Sequence, residues 1–171
     1  MKRIEIPLNK LEVEPFKALK QYLLITSGEN ELGKYNSMTV DWGFFGTIWR
    51  RPCVLLSIRP TRYTYEFISK YPDFTVSSFS PSYRDILVML GKKSGKDSNK
   101  MNESGLVVIN SQRVLSPSFQ EAAFTFECKK LFATDLNKDD IIEPTILNEW
   151  YPEGNFHKII IGEIVSAYKN L

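Results

Sequence analysis

Apolar residues in this chain gather in short runs, and the period of those runs changes along the sequence. Residues 16–27 hold the run Tyr22-Leu23-Leu24-Ile25, followed by Thr26-Ser27-Gly28. This predicts a helical turn leading into a buried strand. Gly28 to Gly33 is polar and turn-rich, the pattern of a loop. Residues 38–49 mix Met38, Trp42, Phe44, Phe45, Ile48 and Trp49 with two glycines. Pro52 breaks the run, and Cys53-Val54-Leu55-Leu56-Ser57-Ile58 reads as a compact buried strand. Arg59-Pro60 ends it. Thr61 is placed to cap a short amphipathic helix over Arg62 to Tyr71, in which Tyr63, Phe67 and Ile68 share a face.

Pro72-Asp73 marks a turn, and Phe74 to Phe79 has the β-branched and aromatic content of a strand. A second short helix is expected from Ser82 to Leu90, with Gly91 just past its end. A Lys/Ser/Gly/Asn loop fills 92–102. Strand-like pieces follow at 105–110, 121–133 and 157–168. In the middle one, Ala122, Phe124, Phe126 and Cys128 alternate with more polar neighbours, which predicts one solvated face. Asp135, Asp139, Asp140 and Glu143 make 134–143 an acidic surface loop. Strands without regular helical crossovers favour an antiparallel barrel or sandwich over a doubly wound sheet. No repeat or polar linker divides the 171 residues, so 1–171 reads as one domain.

Composition narrows the chemistry. Lys and Arg number 22 against 20 Asp and Glu, a formal charge of +2, which argues against a dedicated nucleic-acid partner. One histidine rules out metal sites that need two, and no metal site is expected. Cys53 and Cys128 belong to no CxxC pair; a single disulfide between them stays open. Met1-Lys2-Arg3-Ile4-Glu5-Ile6-Pro7 is not followed by the apolar run of a signal peptide. No stretch approaches the ~20 apolar residues of a membrane span. The expectation is a reduced, cytoplasmic compartment without membrane association.

Several segments are candidates for function. Gly28 to Tyr35 matches GxxxxGK but ends in tyrosine where a phosphate loop needs a hydroxyl for Mg²⁺, and Glu29 and Glu31 would repel a polyphosphate; an ordinary hairpin loop is expected. Arg59-Pro60-Thr61-Arg62-Tyr63-Thr64 joins a buried strand to a helix start, where free amides, two guanidinium groups and two hydroxyls suit a phosphate. The same residues also fit a plain capped helix with two solvated arginines. Lys92 to Lys100 carries four lysines against one aspartate, either a cover over an anion or a solvated loop. Asn36-Ser37-Met38-Thr39-Val40-Asp41-Trp42-Gly43 offers edge hydrogen bonds to a heteroaromatic ring, or is an edge strand with a core tryptophan. His157 is a ligand contact or a structural histidine at a strand start. No catalytic triad, nucleophile elbow or GxGxxG is present, and no catalytic side chain is assigned.

Taken in order, Asn36-x-Met38-Thr39-x-x-Trp42-Gly43, Gly46-Thr47-x-Trp49 and Arg59-Pro60-x-Arg62-Tyr63-Thr64-Tyr65-Glu66-Phe67-Ile68 resemble the flavin reductase-like, FMN-binding split-barrel family, nearest its flavoredoxin branch. Phe74 to Phe79, Ser94-Gly95-Lys96-Asp97-x-x-Lys100 and His157-x-Ile159-Ile160-Ile161-Gly162-Glu163-Ile164 extend the resemblance over about residues 15–168. It implies a mainly β fold, a six-stranded antiparallel split β-barrel with a few short helices. It further implies a homodimer with non-covalent FMN near the interface.

The resemblance also implies roles. Asn36, Met38 and Thr39 would lie along the flavin ring and ribityl chain, with Ser37 and Trp42 in the same stretch. Arg59, Arg62 and Thr64 would bind or flank the phosphate, with Pro60 and Tyr63 beside them. Ser94, Gly95, Lys96, Asp97 and Lys100 would form a covering loop, and His157 would lie near the nicotinamide or flavin face. Lys96 stands where an arginine is more usual, which keeps the charge but loses the bidentate fork. Residues 134–156 are expected to carry no function, and Cys53 reads as a small core residue. The implied activity is NADH- or NADPH-dependent reduction of flavin or an iron complex through FMN. The alternatives are an electron carrier reduced by a protein partner, or a non-redox ligand-binding β-barrel.

Overall fold

The computed structural model describes residues 3–170, so Met1 and Lys2 of the amino-terminal reading lie outside the described residues. Ten strands and five α-helices follow one another. They are β1 (Arg3–Ile6), α1 (Pro15–Lys20), β2 (Leu23–Gly28), β3 (Tyr35–Val40), β4 (Gly43–Ile48), β5 (Arg51–Ile58), α2 (Tyr63–Lys70), β6 (Asp73–Ser78), α3 (Arg84–Lys92), α4 (Lys100–Glu103), β7 (Val108–Ile109), β8 (Ser118–Phe119), β9 (Phe124–Asp135), α5 (Pro144–Trp150) and β10 (Lys158–Asn170). Eight strands form one sheet in the order β3-β2-β6-β9-β10-β5-β4, with β1 also on β10. Every pairing in it is antiparallel. The sheet therefore has eight strands where six were expected, β1 among them as an added strand on β10.

β10 organises that sheet. β9 runs along one side of it from Lys158 to Lys169. On the other side its first half pairs with β5 and its last four residues pair with β1. Period-2 alternation places Leu23, Ile25, Met38, Val40, Val54, Leu56, Phe74, Val76, Phe126 and Ile160 in one core. Leu24, one step out of phase on β2, belongs to a second core with Leu87, Leu90, Met101 and Phe119. β2 is thus covered on both faces, by the barrel interior on one and by α3 and α4 on the other, which is why its apolar run does not alternate.

Three local expectations differ. The start of β9 was expected to have a solvated face, yet Thr125 and Glu127 are buried alongside Phe126 and Cys128. Residues 110–117 cover that face: Gln112 and Arg113 donate their backbone N–H groups to the Glu127 carboxylate, and Ser116 donates to Asp73. Gly91 does not follow a helix end but lies inside α3. Thr61 does not cap α2, whose N-cap position is Arg62 and has no side-chain cap.

The GxxxxGK segment is the β2–β3 hairpin loop, closed by Lys34 N–H to Glu31 O. Both cysteines are buried free thiols. Among the described residues, no helix is long and apolar enough to cross a membrane.

Candidate functional site

Two cavities lie along β3, and most of the candidate residues line one or the other. The first, about 290 Å³, is bounded by Met38, Thr39, Trp42, Arg59, Arg62 and His157, with Gly91 and Trp150 closing it. The second, about 360 Å³, is bounded by Asn36, Tyr63 and the run from Gly95 to Met101. Because side chains alternate along a strand, Asn36 and Met38 point to the same side of β3 and reach successive cavities. Ser37 points the other way and is fully buried, with its hydroxyl 2.7 Å from Thr26 Oγ1. Pro60 is exposed and lines neither cavity.

The β5–α2 turn delivers the cations. Arg62 N–H donates to Arg59 O, which closes the turn and sends the two guanidinium groups in different directions. Arg59 reaches back to the end of α5 and the segment after it, donating to Trp150 O at 2.9 Å and to Asn155 O at 3.1 Å. Arg62 donates to the carbonyl of Gly91 near the end of α3. One residue earlier on α3, Leu90 O accepts from the Lys100 ammonium at 2.8 Å.

Lys100 is only 2% exposed. Burial, and then the positive charge of Arg62, lower its pKa to about 8. Among the described residues, Arg59, Arg62 and Lys100 enter no ion pair. Backbone carbonyls carry only partial negative charge, so Arg62, which lines the first cavity, and Lys100, which lines the second, leave net positive charge beside the consecutive carbonyls of Leu90 and Gly91.

Polar groups surround that charge. Asn36 Nδ2 donates to Thr64 Oγ1 at 2.8 Å, with both residues buried, tying β3 to the first turn of α2. Two glycines allow the close approaches. A Cβ on Gly95 would lie 2.6 Å from Asn36 Oδ1, and one on Gly91 would lie 2.2 Å from Thr39 Oγ1. The loop and α3 can seat against β3 only without those side chains. Elsewhere in the loop, Ser94 Oγ accepts from Lys96 N–H, and Asp97 N–H donates to Ser94 O. The Lys96 ammonium is more than half exposed and pairs with Glu66 at 2.6 Å, which raises its pKa. It is engaged by a carboxylate, unlike Lys100.

His157 is 7% exposed, and its Nδ1 is 2.7 Å from the Tyr151 hydroxyl. Its ring lies 4.7 Å from that of Trp42, and Trp42 meets Trp150 edge-on at 4.8 Å. Burial, and then the charge of Arg59, hold His157 down to about 4, so the imidazole is neutral at ordinary pH. Trp150 and Tyr151 belong to 134–156, the stretch expected to carry no function. Their signal was Pro144 followed by Ile146, Leu147 and Trp150 at helical spacing. The carbonyls of Leu90 and Gly91 had no sequence signal, since only the docking of α3 on β3 brings them here.

Comparison with known proteins agrees with this architecture. The chain is 27% identical over 140 residues to an uncharacterized protein of Pyrococcus abyssi, covering 81% of this chain and 77% of that one. A crystal structure of an FMN-binding domain of a flavin reductases-like enzyme from Shewanella baltica superposes with a TM-score of 0.67 at 17% identity, over 98% of this chain and 77% of that one. The flavoredoxin of Desulfovibrio vulgaris superposes with a TM-score of 0.66 at 21% identity, over 87% and 69% of the two chains. These likenesses share the fold, and the family model described as flavin reductase like domain matches residues 19–170. With that match spanning nearly the whole antiparallel sheet and both cavities along β3, the chain belongs to the flavin reductase like domain family.

Proposed function

We propose that this protein binds FMN non-covalently along β3 and is an oxidoreductase that takes electrons from NADH or NADPH and passes them to free flavin, an iron complex or a partner protein. The observation that carries the reading is the pair Arg62 and Lys100, two cations that have no carboxylate partner among the described residues, sit on consecutive carbonyls of α3 and line one cavity each. A phosphate monoester suits that pair: it carries close to two negative charges and accepts several hydrogen bonds. Thr64 and Asn36 add a hydroxyl and an amide beside it. The cavity walled by Met38, Thr39 and Trp42 offers a thioether, a hydroxyl and an indole to a flat heteroaromatic ring.

Bound FMN would supply the electron-transfer chemistry. The chain's own part is to hold the phosphate, to orient the ring against β3, and to keep water away with Trp42 and Trp150. Arg59 supports this indirectly by fastening the segment that carries Trp150. A homodimer belongs to the same reading, supported by exposed aromatic residues near the hairpin edge of the sheet: Phe44 is 70% and Trp49 60% exposed, and the half-exposed Phe132 faces Trp49. Sedimentation velocity should then give twice 19.8 kDa.

The test is titration of the purified protein with FMN, followed by anaerobic addition of NADH or NADPH. The reading expects saturable quenching of flavin fluorescence and bleaching of the bound flavin by at least one nucleotide. Bleaching by dithionite alone would turn it into an electron carrier with a protein donor. No uptake of FMN at micromolar concentration would overturn it in favour of a non-redox barrel.

A further inference from the structure

Tyr151 is the C-cap residue of α5 and is held from several directions. Its ring stacks on Phe156 at 4.6 Å, Arg59 lies 5.5 Å from its centroid, and Arg59 also grips the carbonyls of Trp150 and Asn155 around it. Among the described residues the hydroxyl has one partner, His157 Nδ1. Burial raises the phenol's pKa, so it stays an O–H group at neutral pH. An imidazole nitrogen is the better acceptor and a phenol the better donor of this pair. Were the bond reversed, with Nδ1–H donating, the phenolic proton would have no acceptor among the described residues.

We propose that Tyr151 is the positioning residue for His157: its hydroxyl donates to Nδ1 and fixes the tautomer in which Nε2 carries the proton and offers it to the cavity. Nε2 makes no hydrogen bond among the described residues, and it is not sealed from solvent. His157 lines the cavity with Arg59, Arg62 and Asp41 as its charged neighbours. Trp42, tilted 30° from the imidazole, limits its rotation. The ring therefore presents a neutral, oriented N–H. Its ligand is a hydrogen-bond acceptor on the ring that fills this cavity, such as a carbonyl oxygen. This last step rests on the reading of the cavity as a flavin site.

The single histidine makes the test direct, since one imidazole spin system is present. Long-range ¹H–¹⁵N spectra of the protein without ligand should show a pyridine-like shift at Nδ1 and a pyrrole-like shift at Nε2. Tyr151→Phe, checked for folding by circular dichroism, should turn this into a mixture of tautomers. A wild-type protein with the proton on Nδ1, or an unchanged tautomer in Tyr151→Phe, overturns the proposal. Should the variant fail to fold, the wild-type spectrum still decides the tautomer.

FMN is then added, with binding followed separately by fluorescence. Movement of the Nε2 and Hε2 signals as FMN saturates supports donation into the cavity. FMN binding without such movement overturns donation, whereas absence of binding overturns the flavin reading through the fluorescence alone.

Discussion

Lys100 is the residue whose surroundings say most about a ligand. A buried ammonium facing one carbonyl and a neighbouring guanidinium is destabilised until an anion arrives, and a bound phosphate would raise its pKa again from about 8. FMN affinity should therefore be full below pH 8 and fall as pH rises through it. Lys100→Met should remove that fall, as read from fluorescence titrations between pH 6.5 and 9.5. Arg62→Ala should weaken FMN by ~1.5–3 kcal/mol, roughly ten- to a hundred-fold in Kd. Unchanged affinity in both variants would remove the phosphate assignment. At this scale the sequence was legible in residue type but not in direction. Arg59 and Arg62 look alike in the string, yet one fastens Trp150 and the other joins Lys100. Lys96 and Lys100 lie in one basic loop, but Glu66 on α2 takes the first.

At the level of elements, what matters is how closely α2 and α3 approach the sheet. Replacing a glycine by alanine inside a helix ordinarily stabilises it by about 0.8–1.0 kcal/mol. At Gly91 the added Cβ would meet Thr39 Oγ1 at 2.2 Å, and overpacking of this kind costs ~1–3 kcal/mol. Gly91→Ala should lower the melting temperature, and the loss should disappear in a Thr39→Ala background. Additive effects in the double variant would refute the contact. α2 has no side-chain cap at its start. Its end is held instead by Lys130 of β9, whose ammonium donates to Ile68 O and Tyr71 O at 2.6 and 2.8 Å. Lys130→Met should cost roughly 1.5–3 kcal/mol in denaturant unfolding, the range for hydrogen bonds to a charged group.

Elements with a clear period were legible: the runs at 23–28, 53–58 and 74–78 are strands, and the amphipathic pattern after Arg62 is a helix. α5 was missed because an acidic stretch precedes it, and acidic composition reads as solvated loop. The second buried face of β9 was missed because a partner remote in sequence, 110–117, supplies the donors that make Thr125 and Glu127 tolerable inside.

Over the whole molecule, buried ionisable groups set how stability responds to pH. His157 titrates near 4 in the folded chain and near 6.5 once unfolded, so the unfolded state binds the extra proton between those values. Stability should fall as pH drops from 6.5 to 4, with no contribution from this group above that window. Lys100, lowered to about 8 against 10.5 unfolded, makes stability rise with pH between those two values. Thermal melts from pH 4 to 7 should show a shallower acid slope in His157→Gln than in the parent. Equal slopes would mean that other groups govern the acid response.

The place of β10 in the sheet has a consequence for how the chain is made. It touches β1, β5 and β9, all of which leave the ribosome before it. Until it emerges, the β4–β5 hairpin has no partner beyond itself, and β9 lacks one of its two neighbours. The early strands must wait with open edges, and joining β1 to β10 closes a loop of nearly the whole chain. Whatever shields those edges until β10 arrives should therefore raise the yield of native protein.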